Sequence, residues 1–135
     1  MIPLGFRLAA AANIGGVLVF SQAFSDDRFI SLSPVVFSRF GLFSIMLWGL
    51  AYLAVASAYD RVPYILAVFA AEKGLYVATW LVWIRSHGGE LPGLFAVSPL
   101  TATFYLIYGP IDLLFGLFFV FVALRVFRTR RELAA

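Results

Sequence analysis

Cysteine is absent from this 135-residue chain, histidine occurs once, and only 13% of the residues are charged. Without cysteine there is no disulfide, no thiolate metal site and no cysteine nucleophile, and no reading of the redox compartment. The single histidine, His87, excludes a bis-histidine haem site and an HExxH zinc site. Neither a GxSxG elbow nor a Walker-type phosphate loop occurs. The expectation is a non-catalytic protein with no cofactor and no metal.

The scarcity of charge excludes more. A soluble domain carries about 25% charged and about 45–50% apolar residues, whereas 63% of this chain is hydrophobic. A buried core cannot absorb that excess, so the chain reads as an integral membrane protein. The net charge of +3 comes largely from Arg125, Arg128, Arg130 and Arg131. In so apolar a chain this is a topology signal and not a nucleic-acid surface.

A hydrocarbon core about 30 Å thick needs roughly 20 apolar residues to cross it. Four stretches qualify: Leu4–Phe24, Phe40–Tyr59, Pro63–Ile84 and Phe104–Phe127. The first has one basic residue, Arg7, ahead of an apolar run, which partly fits a signal peptide. No convincing A-x-A site follows, so it is read as a retained span. Asp60-Arg61-Val62-Pro63 leaves room only for a tight hairpin, with Pro63 in the first helical turn. The loop Arg85–Thr103 is rich in turn formers: His87-Gly88-Gly89, Pro92-Gly93 and Pro99. These features predict one all-α membrane domain over 1–135. Four transmembrane helices, 4–24, 40–59, 63–84 and 104–127, form an antiparallel up-down bundle with a short basic tail at 128–135. With the N-terminus inside, Arg7, Arg61, Arg125, Arg128, Arg130 and Arg131 lie on the cytoplasmic side and Arg28, Arg39 and Arg85 opposite. That bias predicts cytoplasmic N- and C-termini in a bacterial inner membrane.

Polar groups at membrane depth are the candidate functional residues. Glu72 and Lys73 are the only charges between Pro63 and Ile84; Asn13 and Asp112 stand at similar depth in the first and fourth segments. A charge there costs on the order of 2.5–3.5 kcal/mol on insertion scales. Sequence neighbours point about 100° apart on a helix, so Glu72 and Lys73 are each expected to seek a partner on another helix. Lys73 with Asp112 is the expected intramembrane ion pair. Glu72 is left to Asn13, to a tyrosine hydroxyl, or to a proton of its own. Glu72, Tyr76 and Trp80 share one face, and Tyr105, Tyr108 and Asp112 another. Asn13, Glu72, Tyr76, Trp80, Tyr108 and Asp112 are therefore the candidate lining of a site for an amphipathic ligand; an inert hydrogen-bonded core is the competing reading.

Other features bear on packing. Pro110 cannot donate to the carbonyl of Leu106, so the fourth helix is expected to kink or break at Gly109-Pro110. A break would make Asp112 an interfacial cap on a half-helix. Small residues predict close helix approach at Ala9, Ala12 and Gly16, at Ala51, Ala54 and Ala58, and at Ala67, Ala71, Gly74 and Ala78. Trp80 and Trp83 are expected in an interfacial aromatic belt and Trp48 in packing or a pocket wall. The phenylalanines of Leu114–Phe121 are expected to face lipid.

Several short elements resemble a diffuse group of small bacterial four-helix membrane proteins without an established activity. They are Arg7 with Asn13-Ile14-Gly15-Gly16, Gly49-Leu50-Ala51-Tyr52 before Asp60-Arg61, Lys73-Gly74, and Ile111-Asp112-Leu113-Leu114-Phe115-Gly116. The resemblance implies topology only. Three functions remain. The first is an accessory or structural subunit of a larger membrane complex, or a homo-oligomer, with membrane lipid and other membrane proteins as partners and no nucleic acid. The second is a binding or isomerase-type site for a sterol, isoprenoid or quinone, by analogy with four-helix sterol-isomerase-like proteins. The third is a small proton-coupled transporter, although small multidrug exporters carry their essential glutamate in the first helix, where this chain has Asn13.

Overall fold

The computed structural model describes residues 1–134. Among the described residues there are only helices and turns, with no strand. The first helix, α1 (Ile2–Phe20), starts with proline in its first turn, where a missing N–H is harmless. It ends four residues earlier than expected because Gln22, Ala23 and Phe24 adopt left-handed φ values of 49°, 54° and 69°. Such a conformation costs roughly 1–2 kcal/mol per residue. It is held by the Phe24 N–H donating to Ser21 Oγ at 2.9 Å and by Phe24 stacking on Phe43 at 4.7 Å. The expected first loop then contains a short helix, α2 (Asp27–Ser31), whose N–H groups at Arg28 and Phe29 donate to the capping carboxylate of Asp26.

Ser38 caps α3 (Arg39–Val55), which stops short of the expected Tyr59. A 3₁₀ turn at Tyr59–Arg61 leads to α4 (Pro63–His87), and a second at Gly88–Glu90 to α5 (Leu91–Val97). The turn-rich stretch after Arg85 is thus mostly helical. The last helix, α6 (Pro99–Ala134), starts earlier than Phe104 and absorbs the residues expected as a tail, apart from Ala135, which lies outside the described residues. Pro110 sits inside α6 without a break, so Asp112 caps nothing. Arg130 donates to the carbonyl of Asp60 at 2.9 Å, tying the end of α6 to the hairpin turn.

Three helical stretches are long and apolar enough to cross a membrane: Ile2–Phe20, Pro63–Val97 and Pro99–Ala134; α3 is apolar but shorter. α4 packs along α6 and α1 along α3. Glycine makes the closest approaches: Gly109 lies under the Trp80 indole, and Gly49 lies against Asn13 and Ile14. The small row expected to mediate contacts of α4 does not do so, since Ala67, Ala71, Gly74 and Ala78 are all exposed.

Two apolar clusters flank a polar layer. One holds Phe6, Tyr52, Leu66, Phe69, Phe119 and Val122; the other holds Val17, Phe29, Phe37, Leu42, Trp83, Tyr105 and Tyr108. Phe119, expected toward lipid, is fully buried, while its neighbours Leu114, Leu117 and Phe121 are exposed. Trp83 is buried and Trp80 half-buried. The Trp83 indole donates to the carbonyl of Leu32 and the Trp80 indole to that of Tyr105, so both pin backbone in place. Trp48 packs edge-on against Phe69 in the first cluster.

Candidate functional site

Between the two clusters Asn13, Glu72 and Lys73 are buried at 6%, 5% and 2% exposure. Glu72 stands nine residues into α4, about 14 Å along its axis. Lys73 Nζ donates to Asp112 Oδ1 at 2.6 Å and to Asn13 Oδ1 at 2.8 Å. The amide of Asn13 in turn donates to the carbonyl of Ile45 at 3.1 Å, which fixes its oxygen toward the lysine. α1, α3, α4 and α6 therefore all bear on one ammonium group. Gly116 lets α6 approach closely here, because a Cβ on it would lie 3.2 Å from Lys73 Cβ.

Glu72 takes a tyrosine hydroxyl, and that tyrosine is Tyr52. Its OH donates to Oε2 at 2.5 Å, and the ring is fully buried against Phe69 and Phe119. Glu72 and Lys73 also come closer than helix geometry alone suggests, with 3.8 Å between Nζ and Oε1. Both stems bend toward the same polar layer, but the separation is too long for a hydrogen bond. Oε1 is left as a buried oxygen without a hydrogen-bond partner among the described residues.

A cavity of about 290 Å³ adjoins this layer. Its polar side carries Asn13, Glu72, Lys73, Tyr76, Tyr108 and Asp112, and its far wall carries Phe20, Phe29, Phe37 and Phe104. α1 and α6 touch at both ends, through Phe6 with Phe118 at 5.4 Å and Phe20 with Phe104 at 5.3 Å. Between those contacts Ala12, Gly15 and Gly16 of α1 and Ile107 and Ile111 of α6 line the cavity. A Cβ on Gly15 or Gly16 would meet nothing within 4 Å, so two missing side chains keep this gap open. Val19 and Ile111 at its edge are exposed. The cavity is a cleft open sideways between two apolar helices.

Of the residues nominated from sequence, Asn13, Glu72, Tyr76, Tyr108 and Asp112 line the cleft and Trp80 does not. Trp80 instead covers Gly109. Tyr105, on the face shared with Tyr108, turns away and donates to the carbonyl of Phe29 at 2.9 Å. Tyr52, Phe29 and Phe37 were not nominated. Tyr52 had a readable signal: with the hairpin turn centred on Val62, it lies ten residues before the turn and Glu72 ten after. No such signal marks Phe29 and Phe37, because their position depends on the left-handed turn at 22–24.

Removing the Tyr52 hydroxyl leaves neither oxygen of the Glu72 carboxylate with a hydrogen bond among the described residues. Tyr52→Phe is expected to destabilise the protein by about 1–2 kcal/mol, read as an earlier midpoint in detergent unfolding. An unchanged midpoint would mean that this bond contributes nothing to folding. Compared with known protein families, curated proteins and solved structures, the chain matches none.

Proposed function

We propose that the chain is a four-span antiparallel bundle of a bacterial inner membrane, with both termini cytoplasmic, that binds a lipid-soluble molecule in the cleft between α1 and α6. The arrangement is supported by contacts that run in opposite order along each helix pair. Tyr64, Phe69 and Trp80 of α4 meet Phe127, Phe119 and Tyr105 of α6. Asn13 of α1 and Phe24, in the turn that follows it, meet Ile45 and Phe43 of α3 in the same sense. α3 has 17 residues, at the short end of what spans a hydrocarbon core. Arg7, Arg61 and the four arginines from Arg125 to Arg131 supply the cytoplasmic bias.

The observation that carries the function is the cleft itself: apolar walls, a lateral mouth, and a floor of ionisable and phenolic groups. Ligand sites combine mostly apolar lining with a few convergent polar groups in this way. Transport fits less well, because the polar path from Asp112 through Lys73 and Glu72 ends at Tyr52, inside the sealed cluster of Phe6, Phe69 and Phe119. The accessory-subunit reading draws on exposed apolar flanks such as Leu47, Leu50 and Leu117, which lipid covers equally well.

A Cβ at Gly16 meets nothing within 4 Å, so Gly16→Phe is expected to fold with its ring in the mouth of the cleft. Protein purified in mild detergent is extracted with solvent and the lipophiles are quantified by mass spectrometry. The wild type should carry a specific lipophile that the variant loses about tenfold, equivalent to about 1.4 kcal/mol. Equal recovery from both would remove the binding reading.

A further inference from the structure

Charge is divided unevenly between the two ends of the bundle. Phe6 stacks on Tyr59 at 5.9 Å, Tyr64 meets Phe127 at 5.4 Å, and Arg130 donates to the Asp60 carbonyl. That end therefore carries Arg7, Arg61, Arg125, Arg128, Arg130 and Arg131 against only Asp60 and Glu132. The other end is balanced, with Arg28, Arg39 and Arg85 against Asp26, Asp27 and Glu90. We propose that the outer face of α6 holds an anionic phospholipid, with its phosphate on Arg128 and Arg131 and an acyl chain along Leu117, Phe121 and Leu124. These five residues follow the spacing i, i+4, i+7, i+11, i+14, which draws one straight strip along a helix. All five are exposed. The strip lies opposite Phe119, Val122 and Val126, which are buried.

The order along the strip is that of a lipid. Leu117 to Leu124 gives about 10 Å of apolar surface. The arginines follow where Phe127 comes level with Tyr64 at the start of α4, so they stand at the end of the span. Arginine grips a phosphate through paired N–H donors, and basic clusters beside a membrane span attract anionic headgroups. The exposed contact of Arg128 with Glu132, 3.4 Å long, uses Nε and leaves the rest of the guanidinium to a ligand. Arg125 and Arg131 have no ion pair among the described residues. A zwitterionic lipid offers the same phosphate but brings its own cation into a surplus of arginines. A second copy of the chain, inserted in the same direction and related by a two-fold axis, would set these arginines against their own counterparts.

Native mass spectrometry of the full chain in mild detergent tests this, with phosphatidylglycerol and phosphatidylcholine of identical acyl chains. Phosphatidylglycerol should bind at least about tenfold more tightly, and Arg128→Gln with Arg131→Gln should remove that advantage. Arg28→Gln with Arg85→Gln takes the same charge from the balanced end and should leave the advantage intact. All four arginines are exposed, so both double variants are expected to fold. Equal binding of the two lipids overturns the proposal. Equal loss in both double variants also overturns it, by reducing the preference to net charge. Soluble glycerol phosphate at equal concentration should not displace the lipid; displacement would show a phosphate site that needs no apolar strip. Phe121→Cys, in a chain without other cysteine, should not crosslink to itself in membranes. A crosslinked dimer would place a second copy on this face and overturn the lipid as its occupant.

Discussion

Replacing Lys73 with methionine is expected to destabilise the protein by about 3–5 kcal/mol, the range found when one partner of a buried charge pair is removed. Methionine keeps the length of the stem but removes the charge that faces Asp112 at 2.6 Å and Glu72 at 3.8 Å. It also removes the donor to Asn13, so three side chains from α1, α4 and α6 lose a common partner. Lys73 is only 2% exposed and aromatic clusters flank it on both sides. The companion variant separates charge from packing. Lys73→Met with Asp112→Leu removes both ends of that pair and should recover part of the loss, since an apolar pair can be as stable as a buried ion pair, while Glu72 still lacks the charge that faced it at 3.8 Å. Equilibrium unfolding in mixed detergent micelles reads both. A loss below about 1 kcal/mol for the single variant, the scale of an ordinary intramembrane hydrogen bond, would contradict the buried-pair account.

Gly109→Leu is expected to cost about 3 kcal/mol, the upper end of the usual overpacking range, by forcing α4 and α6 apart. Even a Cβ at this position would collide with the ring atoms of Trp80. The indole cannot swing aside freely, because its N–H donates to the carbonyl of Tyr105 at 3.0 Å. Combining Gly109→Leu with Trp80→Ala should restore much of the stability, as one void receives the other side chain. Thermal unfolding of the single and double variants reads this coupling. Additive losses would show that the indole and the glycine do not share one contact.

The apolar, helical character of the chain was legible because spans need long runs of one kind of residue, and 63% hydrophobic content leaves little else to infer. Helix ends were less legible. α1 stops at Phe20 because three non-glycine residues take left-handed conformations, something no composition signal announces. α6 runs through Pro110 and into the basic residues because a proline removes only one donor, while α4 supports the helix on both sides of it. The polar layer stood out by residue type, since isolated charges in an apolar run are conspicuous. Which groups meet within it depends on register, which the hairpin at Val62 encodes for Tyr52 and Glu72. The faces were hardest to read. Ala67, Ala71, Gly74 and Ala78 suit close packing, yet α4 directs its larger neighbours Leu66, Phe69 and Lys73 inward.

The central claim is that the cleft between α1 and α6 holds a lipophile. Photolabelling membranes with a diazirine-bearing farnesol, followed by peptide mapping, addresses it most directly. Labels are expected on Ala12–Phe20 and Phe104–Asp112, the two walls of the mouth, and excess farnesol should compete them away. Labels spread over the exposed flanks at Leu47, Leu50, Leu117 and Phe121, without competition, would contradict it.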